Sequence, residues 1–467
     1  MKIEKLVLEN FRRFVELEIE FEPSLTVIVG INGAGKTSIL DGIAVLVGRL
    51  LTRLPQVSGV ALSPKDLHIN NGTSLAPGVR CSLQANMISE LSALPLNTAT
   101  ENHAPNTLAW SASRLRDKSL KTAKIVRETL REDTNIGVSS IDNFADLLID
   151  AENESQPYRM PVVAYYGTQR ATVSAPLKRR NFATSFARFD SLTGALNPAA
   201  NFKQVFEWMH AKENDEAREQ KKRKSFDYQD SELQTVRAAI ESFFPHFKNP
   251  RTETNPLRFV VDTEYNGVAV TCDLSQLSDG YRTTLALVAD LACRMARANP
   301  ASNTTPNPLK TDAVVLIDEI ELHLHPGWQQ TILADLRRVF SCTQFIVTTH
   351  SPQVLTTVEP QCIRIIDWNG AEKRGEQLLK EATFSIGAES QYVLETILGV
   401  PPRPADIPIA RQLQEYLKLV NNNQWDSARA IELRTTLDKW SGGVEPSLVK
   451  ADIDIRVRAW KRDALKP

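Results

Sequence analysis

Gly30-Ile31-Asn32-Gly33-Ala34-Gly35-Lys36-Thr37 completes the pattern G-x-x-x-x-G-K-[ST], and its flanks leave the chain little choice of architecture. Ahead of it, Leu25 to Val29 is short and continuously apolar, as a strand buried on both faces must be. Behind it, Ile39, Ile43, Val47 and Leu51 recur at i, i+4 and predict a helix with one apolar side. Strand, glycine-rich turn and helix open an α/β domain. The glycines let the backbone curl so that successive N–H groups face phosphate oxygens, and the helix N-terminus adds a favourable dipole. Gly30, Asn32, Gly33, Ala34, Gly35 and Ser38 then form a cradle, Lys36 neutralises the β- and γ-phosphates, and Thr37 holds Mg²⁺. A glycine turn carrying a surface lysine would not need the flanking strand and helix. The expectation is a nucleotide site.

A second apolar run, Ala313 to Ile317, leads into Asp318-Glu319. A buried strand ending in paired carboxylates suits a Walker B element, with Asp318 on Mg²⁺ and Glu319 polarising the attacking water. Further buried strands are expected at Val162 to Tyr166, Gln344 to Thr348 and Cys362 to Ile366. Val15, Leu17, Ile19 and Phe21 alternate with Glu16, Glu18, Glu20 and Glu22, a strand with one wet face. Two alternating runs flank Asn266-Gly267, a hairpin signal. From Asn70 to Gln156 the pattern loosens into Ser, Asn, Thr and Pro, and Asn201 to Phe243 reads as charged helix.

This gives four regions: an N-terminal lobe with the glycine-rich loop (1–80), a mostly helical insertion holding a core strand near 161–167 (81–255), a second lobe (256–383), and a helical C-terminal module for partner binding (384–467). With 467 residues, a net charge of −1 and 42% apolar positions, the chain can bury a core and has no global pull toward nucleic acid or membrane. Five scattered cysteines, none in a C-x-x-C pair, read as reduced core residues. The absence of a long apolar run points to a cytoplasmic protein.

Leu277-Ser278-Asp279-Gly280-Tyr281-Arg282 precedes an apolar helix and, alone, is compatible with an ordinary N-cap. With the two motifs above, the chain resembles ABC-type ATPases of the subgroup that contains the structural-maintenance-of-chromosomes proteins and RecF. The fold implied is an α/β P-loop ATPase head, a mixed sheet with flanking helices. The family signature reads LSGGQ; here Asp279 and Tyr281 depart from it, leaving Ser278 and Gly280 as donors to a γ-phosphate. Because that helix caps nucleotide on the other subunit, the resemblance implies an ATP-sandwiched homodimer or higher homo-oligomer. It also implies that Arg12 of Asn10-Phe11-Arg12 reaches phosphate, that His350 senses the γ-phosphate, and that Gln169 is the Q-loop glutamine. Glu321 to Pro326 falls where the family has its dimer-facing D-loop. Its histidines, His323 and His325, lack the further ligands of a zinc site nearby in sequence.

The Phe11-Arg12 start, the strand Pro161 to Thr168, the Leu277 to Arg282 signature and the Asp318 to Pro326 run together resemble the ATPase subunits of Septu-type (PtuA) anti-phage defence and of certain defence retrons. That resemblance implies a regulatory ATPase acting on a separate HNH nuclease, with DNA or RNA reached through the complex. The second reading is a RecF-like repair ATPase that binds DNA itself. Lys178 to Arg180 and Lys221 to Lys224 are either solvated charge or phosphate contacts. Asp452-Ile453-Asp454 mimics a Toprim pair, but no glutamate of the required kind stands upstream, so no nuclease is read in this chain. Trp425, Trp440 and Trp460 read as core or interface anchors.

Overall fold

The computed structural model describes residues 1–70, 74–87, 107–129, 138–171, 187–198, 202–254, 256–265, 267–302, 305–366 and 379–464. The strands, in chain order, are β1 (Lys2–Phe11), β2 (Phe14–Glu20), β3 (Leu25–Gly30), β4 (Ile69–Asn70), β5 (Ser74–Leu75), β6 (Gly78–Asn86), β7 (Thr107–Leu115), β8 (Val162–Tyr166), β9 (Lys248–Thr254), β10 (Leu257–Tyr265), β11 (Val268–Asp273), β12 (Ala313–Ile317), β13 (Thr343–Thr348), β14 (Ile363–Ile366) and β15 (Leu379–Glu381).

The central sheet has the order β15-β14-β3-β13-β12-β8, parallel except at β15. Strands β8, β12 and β13 are buried at every position, which is why β8 and β12 are runs without a polar alternation and β13 carries Phe345, Ile346 and Val347 in succession. Ile317 lies opposite both Val347 and Tyr166, and Thr348 opposite Ile28. The carboxyl ends of β3, β8, β12 and β13 therefore emerge along one edge, where α/β sheets bind ligands. This is the P-loop ATPase head expected from the sequence.

A four-stranded antiparallel sheet has the order β2-β1-β6-β7, so strands from the region expected as an insertion after residue 80 join β1 and β2 of the N-terminal lobe. Trp110 on β7 is fully buried, and its indole N–H donates to the Leu46 carbonyl of the helix Lys36–Arg53 at 2.8 Å. The sheet thus braces the helix that follows the glycine-rich loop. Gln344 joins the two sheets: its amide exchanges bonds with the N–H and C=O of Ile3 at 2.7 Å and donates to Glu22 O at 2.9 Å. With both amide ends used, its complete burial carries little penalty.

Strands β6 and β7 lie in the stretch whose sequence reads as a loose insertion. Val79, Cys81, Leu83 and Ala85 alternate and are buried, so the period-two signal exists, broken in sequence by the residues that follow. The hairpin of β10 and β11 forms with Tyr265 opposite Val268 and Gly267 at φ +77°. Asn266 and the basic run 178–180 lie outside the described residues.

The chain divides into two compact units, Met1–Val393 and Leu394–Pro467. The boundary expected at 384 falls inside the first, where Ser385 is buried and donates to Val358 O at 2.6 Å. The second unit holds the helices Pro408–Asn421, Ala428–Ser441 and Pro446–Ala464 around Leu413, Tyr416, Leu433 and Leu437. Trp425 packs against that core, whereas Trp440 and Trp460 are 46% and 71% exposed. Among the described residues no helix is long and apolar enough to cross a membrane.

Candidate functional site

The turn after β3 brings the backbone back on itself through Gly33 (φ +76°) and Gly35 (φ +102°), both left-handed. Gly35 is doubly required, since a Cβ there would sit 2.6 Å from the Phe14 ring. Gly35→Ala is expected to cost at least about 1–2 kcal/mol in backbone strain alone, with further loss from the clash, read as a lowered melting temperature and weakened ATP binding.

Lys36, the first residue of the helix, is 7% exposed, and its ammonium donates to the carbonyls of Gly30 (3.0 Å) and Ile31 (3.1 Å). Burial lowers its pKa, opposed by the charges of Asp318, Glu319 and Glu321. Thr37 donates its hydroxyl to Asp318 Oδ2 at 2.8 Å, and Thr348 donates to Asp318 Oδ1 at 2.6 Å. Thr348 also accepts the Glu319 N–H at 2.8 Å. A threonine hydroxyl beside a buried carboxylate is a donor set that suits a hard divalent cation, whose remaining ligands would be phosphate oxygens and water. The residues present therefore fit Mg²⁺-nucleotide.

One cavity is lined by Asn32, Gly33, Gly35, Lys36, Thr37 and Ser38 of the glycine-rich loop and its helix together with Asp318, Glu319, His350 and Arg13. Residues more than 300 positions apart thus meet at the edge where the parallel strands end. Gly30 and Ala34 shape the loop without lining the cavity: Gly30 packs against Ile366, and Ala34 N–H donates to Ile31 O at 3.1 Å. Glu319 sits at φ +50°, in the left-handed region. For a residue with a Cβ this costs about 1–2 kcal/mol and persists only where the surroundings enforce it.

Glu321 accepts the Thr349 hydroxyl at 2.8 Å and the His350 N–H at 2.6 Å, so the D-loop segment fixes the backbone that carries the histidine. The His350 pKa is lowered by burial and then by the charge of Lys36, and burial also lowers that of His246. For both groups the folded value lies below the ordinary 6.5, so the unfolded chain takes up protons first as pH falls. Stability is expected to decline as pH drops below about 6.5, and His350→Gln to flatten part of that decline in melting curves.

Not every expected residue reaches the cavity. The Arg12 guanidinium is held by Asp66 (2.9 Å to Nε) and by Asp41, which also accepts the Tyr165 hydroxyl at 2.9 Å. Those two carboxylates occupy it, and the neighbouring Arg13 lines the cavity instead. Gln169 is exposed on the turn Thr168–Ala171, while the next residue, Arg170, is 3% exposed. Ser278 occupies the N-cap position of the helix Asp279–Ala298 without a side-chain capping bond and is exposed, and neither it nor Gly280 lines the cavity. Gly280 is buried against this chain's own D-loop: a Cβ would stand 2.6 Å from His323 O.

The departures from LSGGQ have local partners. Asp279 pairs with Arg282, and Tyr281 packs 4.6 Å from the Trp328 ring and 5.5 Å from Phe247. Among the described residues no group of three His, Cys, Asp or Glu could hold a metal, and His325 instead caps a short helix by accepting the Gly327 N–H. The sequence reading missed Arg13, Arg170 and Thr348. Each stands within two residues of one it named.

An AAA-domain family model matches residues 5–243, just over half of the chain. The chain belongs to the AAA-domain family of ATPases. A second family model, described as "AAA domain, putative AbiEii toxin, Type IV TA system", matches residues 174–356 of this ATPase. It is similar to the protein named Retron Ec83 probable ATPase of Escherichia coli, 29% identical over 99% of this chain and 88% of that one. It is also similar to Retron Vc95 probable ATPase of Vibrio cholerae serotype O1 biovar El Tor, 26% identical over 93% and 87%. Septu protein PtuA of Bacillus mycoides is 29% identical over 43% of this chain and 24% of its own length.

Proposed function

We propose that this ATPase is the Mg²⁺-ATP-dependent regulatory subunit of a bacterial anti-phage defence complex, controlling a separate HNH-type nuclease by ATP-dependent dimerisation. The observation that carries the reading is the split of the motifs. Lys36, Thr37, Asp318, Glu319 and His350 share one cavity, while Ser278 stands exposed and outside it. A signature serine that does not reach its own nucleotide is free to cap one held by a second copy. In this reading Lys36 binds the β- and γ-phosphates, Thr37 and Asp318 hold Mg²⁺, Glu319 is the general base, and His350 reads the γ-phosphate. The near full-length similarity to retron ATPases supports the defence setting.

In the basic run Lys221 to Lys224, one of the two on which direct DNA binding would depend, Lys222 and Arg223 both pair with Glu219. Asp452 of the Toprim-like pair accepts from Arg434 at 2.9 Å.

The test is purification from native cells with and without ATP. A stoichiometric HNH nuclease is the expected companion; recombination proteins or DNA alone would move the assignment to a RecF-like role. Because Leu394–Pro467 is a compact unit with its own core, removing residues from 400 onward is expected to leave nucleotide affinity within about threefold of the parent and to release the nuclease. Retention of the nuclease by the truncated chain would place the partner surface on the ATPase head.

A further inference from the structure

We infer that Arg170 is a positioning residue for hydrolysis, holding the peptide of Asp318 and Glu319 so that Glu319 keeps the left-handed conformation in which it faces the nucleotide cavity. The inference rests on the reading of Glu319 as the base. The turn Thr168–Ala171 follows β8 directly, and Arg170 is buried beneath it. Its guanidinium donates to the Gly167 carbonyl at 2.9 Å and to the carbonyls of Asp318 and Glu319. Its hydrogen bonds thus go to main-chain oxygens and not to a carboxylate, although Asp318, Glu319 and Glu321 are close enough to favour its charge.

Two successive carbonyls held by one planar fork cannot turn independently. At the other end of the same residue, the Glu319 N–H is held by Thr348 Oγ1 at 2.8 Å. Glu319 is therefore clamped on both sides of a φ of +50°. A residue with a Cβ keeps such a conformation only when its surroundings over-determine it. Without the fork, the C-terminal side of Glu319 keeps the Leu322 N–H, which donates to its carbonyl at 3.0 Å, and the Ile320 N–H of the following peptide, which donates to Thr348 O at 3.1 Å; neither fixes the Asp318 carbonyl. Burial pulls the Arg170 pKa down to about 10, which still leaves it cationic at neutral pH. Lysine could serve one of these carbonyls but cannot present the fork.

Gln169 and Arg170 leave the same turn into opposite surroundings, one exposed and one buried.

The experiment compares full-length Arg170→Ala, Arg170→Lys, Glu319→Gln and the Arg170→Ala/Glu319→Gln double variant in Mg²⁺-ATP binding and phosphate release. The expected Arg170→Ala result is a kcat lowered about 100-fold, with Kd and KM for ATP within about threefold of the parent. Millimolar guanidinium should restore at least about tenfold of that loss where equal sodium chloride does not, and the double variant should be no slower than Glu319→Gln alone. Arg170→Lys, which keeps the charge and volume, should fold like the parent and still turn over slowly. A kcat for both Arg170 variants within threefold of the parent would overturn the inference, as would a loss matched by an equal loss of ATP binding without guanidinium rescue. If Glu319→Gln stops turnover while Arg170→Ala does not, this inference fails alone. If Glu319→Gln turns over at the parental rate, the assignment of the base fails whatever Arg170 does.

Discussion

Replacing Lys36 by alanine is expected to abolish measurable Mg²⁺-ATP binding, lowering affinity by about 100-fold or more. The ammonium now donates to the carbonyls of Gly30 and Ile31, both part of the loop that would wrap the phosphates. In the nucleotide complex it would exchange those neutral acceptors for phosphate oxygens. Hydrogen bonds to charged groups contribute about 1.5–3 kcal/mol each, so losing two costs about 3–6 kcal/mol of binding. The fold should survive. Alanine is the best helix former at this first helical position, and removing a buried ammonium also removes its desolvation cost. Titration calorimetry with Mg²⁺-ATP beside a melting curve separates the two effects. A dissociation constant within threefold of the parent would end the reading of Gly30 to Thr37 as the phosphate site.

The parts of this site that could be read from sequence are those whose chemistry depends on local order. The glycine-rich loop works through consecutive N–H groups, so its pattern is contiguous. The Walker B pair works because a buried strand ends, and the apolar run Ala313 to Ile317 announces that end. Arg12 and Arg13 could not be told apart in this way. Which one enters the cavity is settled by Asp41 and Asp66, residues 29 and 54 positions away that hold Arg12. Arg170 was equally hidden, because its partners are the main-chain oxygens of residues 148 and 149 positions on, and carbonyls leave no trace in a sequence. Strands β6 and β7 were obscured for a different reason. β6 pairs with β1, more than seventy residues earlier, β7 pairs with β6, and the polar stretch between the two resembles a linker. Tyr281 stood out as a departure from a motif, yet its reason is a set of rings, Phe244, Phe247 and Trp328, gathered from two other segments.

Glu319→Gln should leave ATP binding intact and lower turnover by about 10²–10⁴-fold, the usual contribution of a positioned general base. The change is nearly isosteric, and the groups that hold this residue act on its main chain: Thr348 on the N–H and Arg170 on the carbonyl. The amide should therefore occupy the place of the carboxylate while being unable to take a proton from water. It also removes one negative charge from a cavity already holding Asp318, so the γ-phosphate meets less repulsion and the bound state lasts longer. If two copies close over ATP through the exposed Ser278, that persistence should appear as an ATP-dependent dimer. Size-exclusion with light scattering would detect it in the variant, and only weakly in the parent, where hydrolysis reopens the pair. Asp318→Asn is the informative contrast. That carboxylate accepts from both Thr37 and Thr348, so its loss should weaken Mg²⁺-dependent binding itself and give no trapped dimer. Unchanged turnover and unchanged oligomeric state in Glu319→Gln would remove the ATP switch altogether. A block in turnover without dimerisation would keep the ATPase and discard the sandwich, since the base would then act within a single copy.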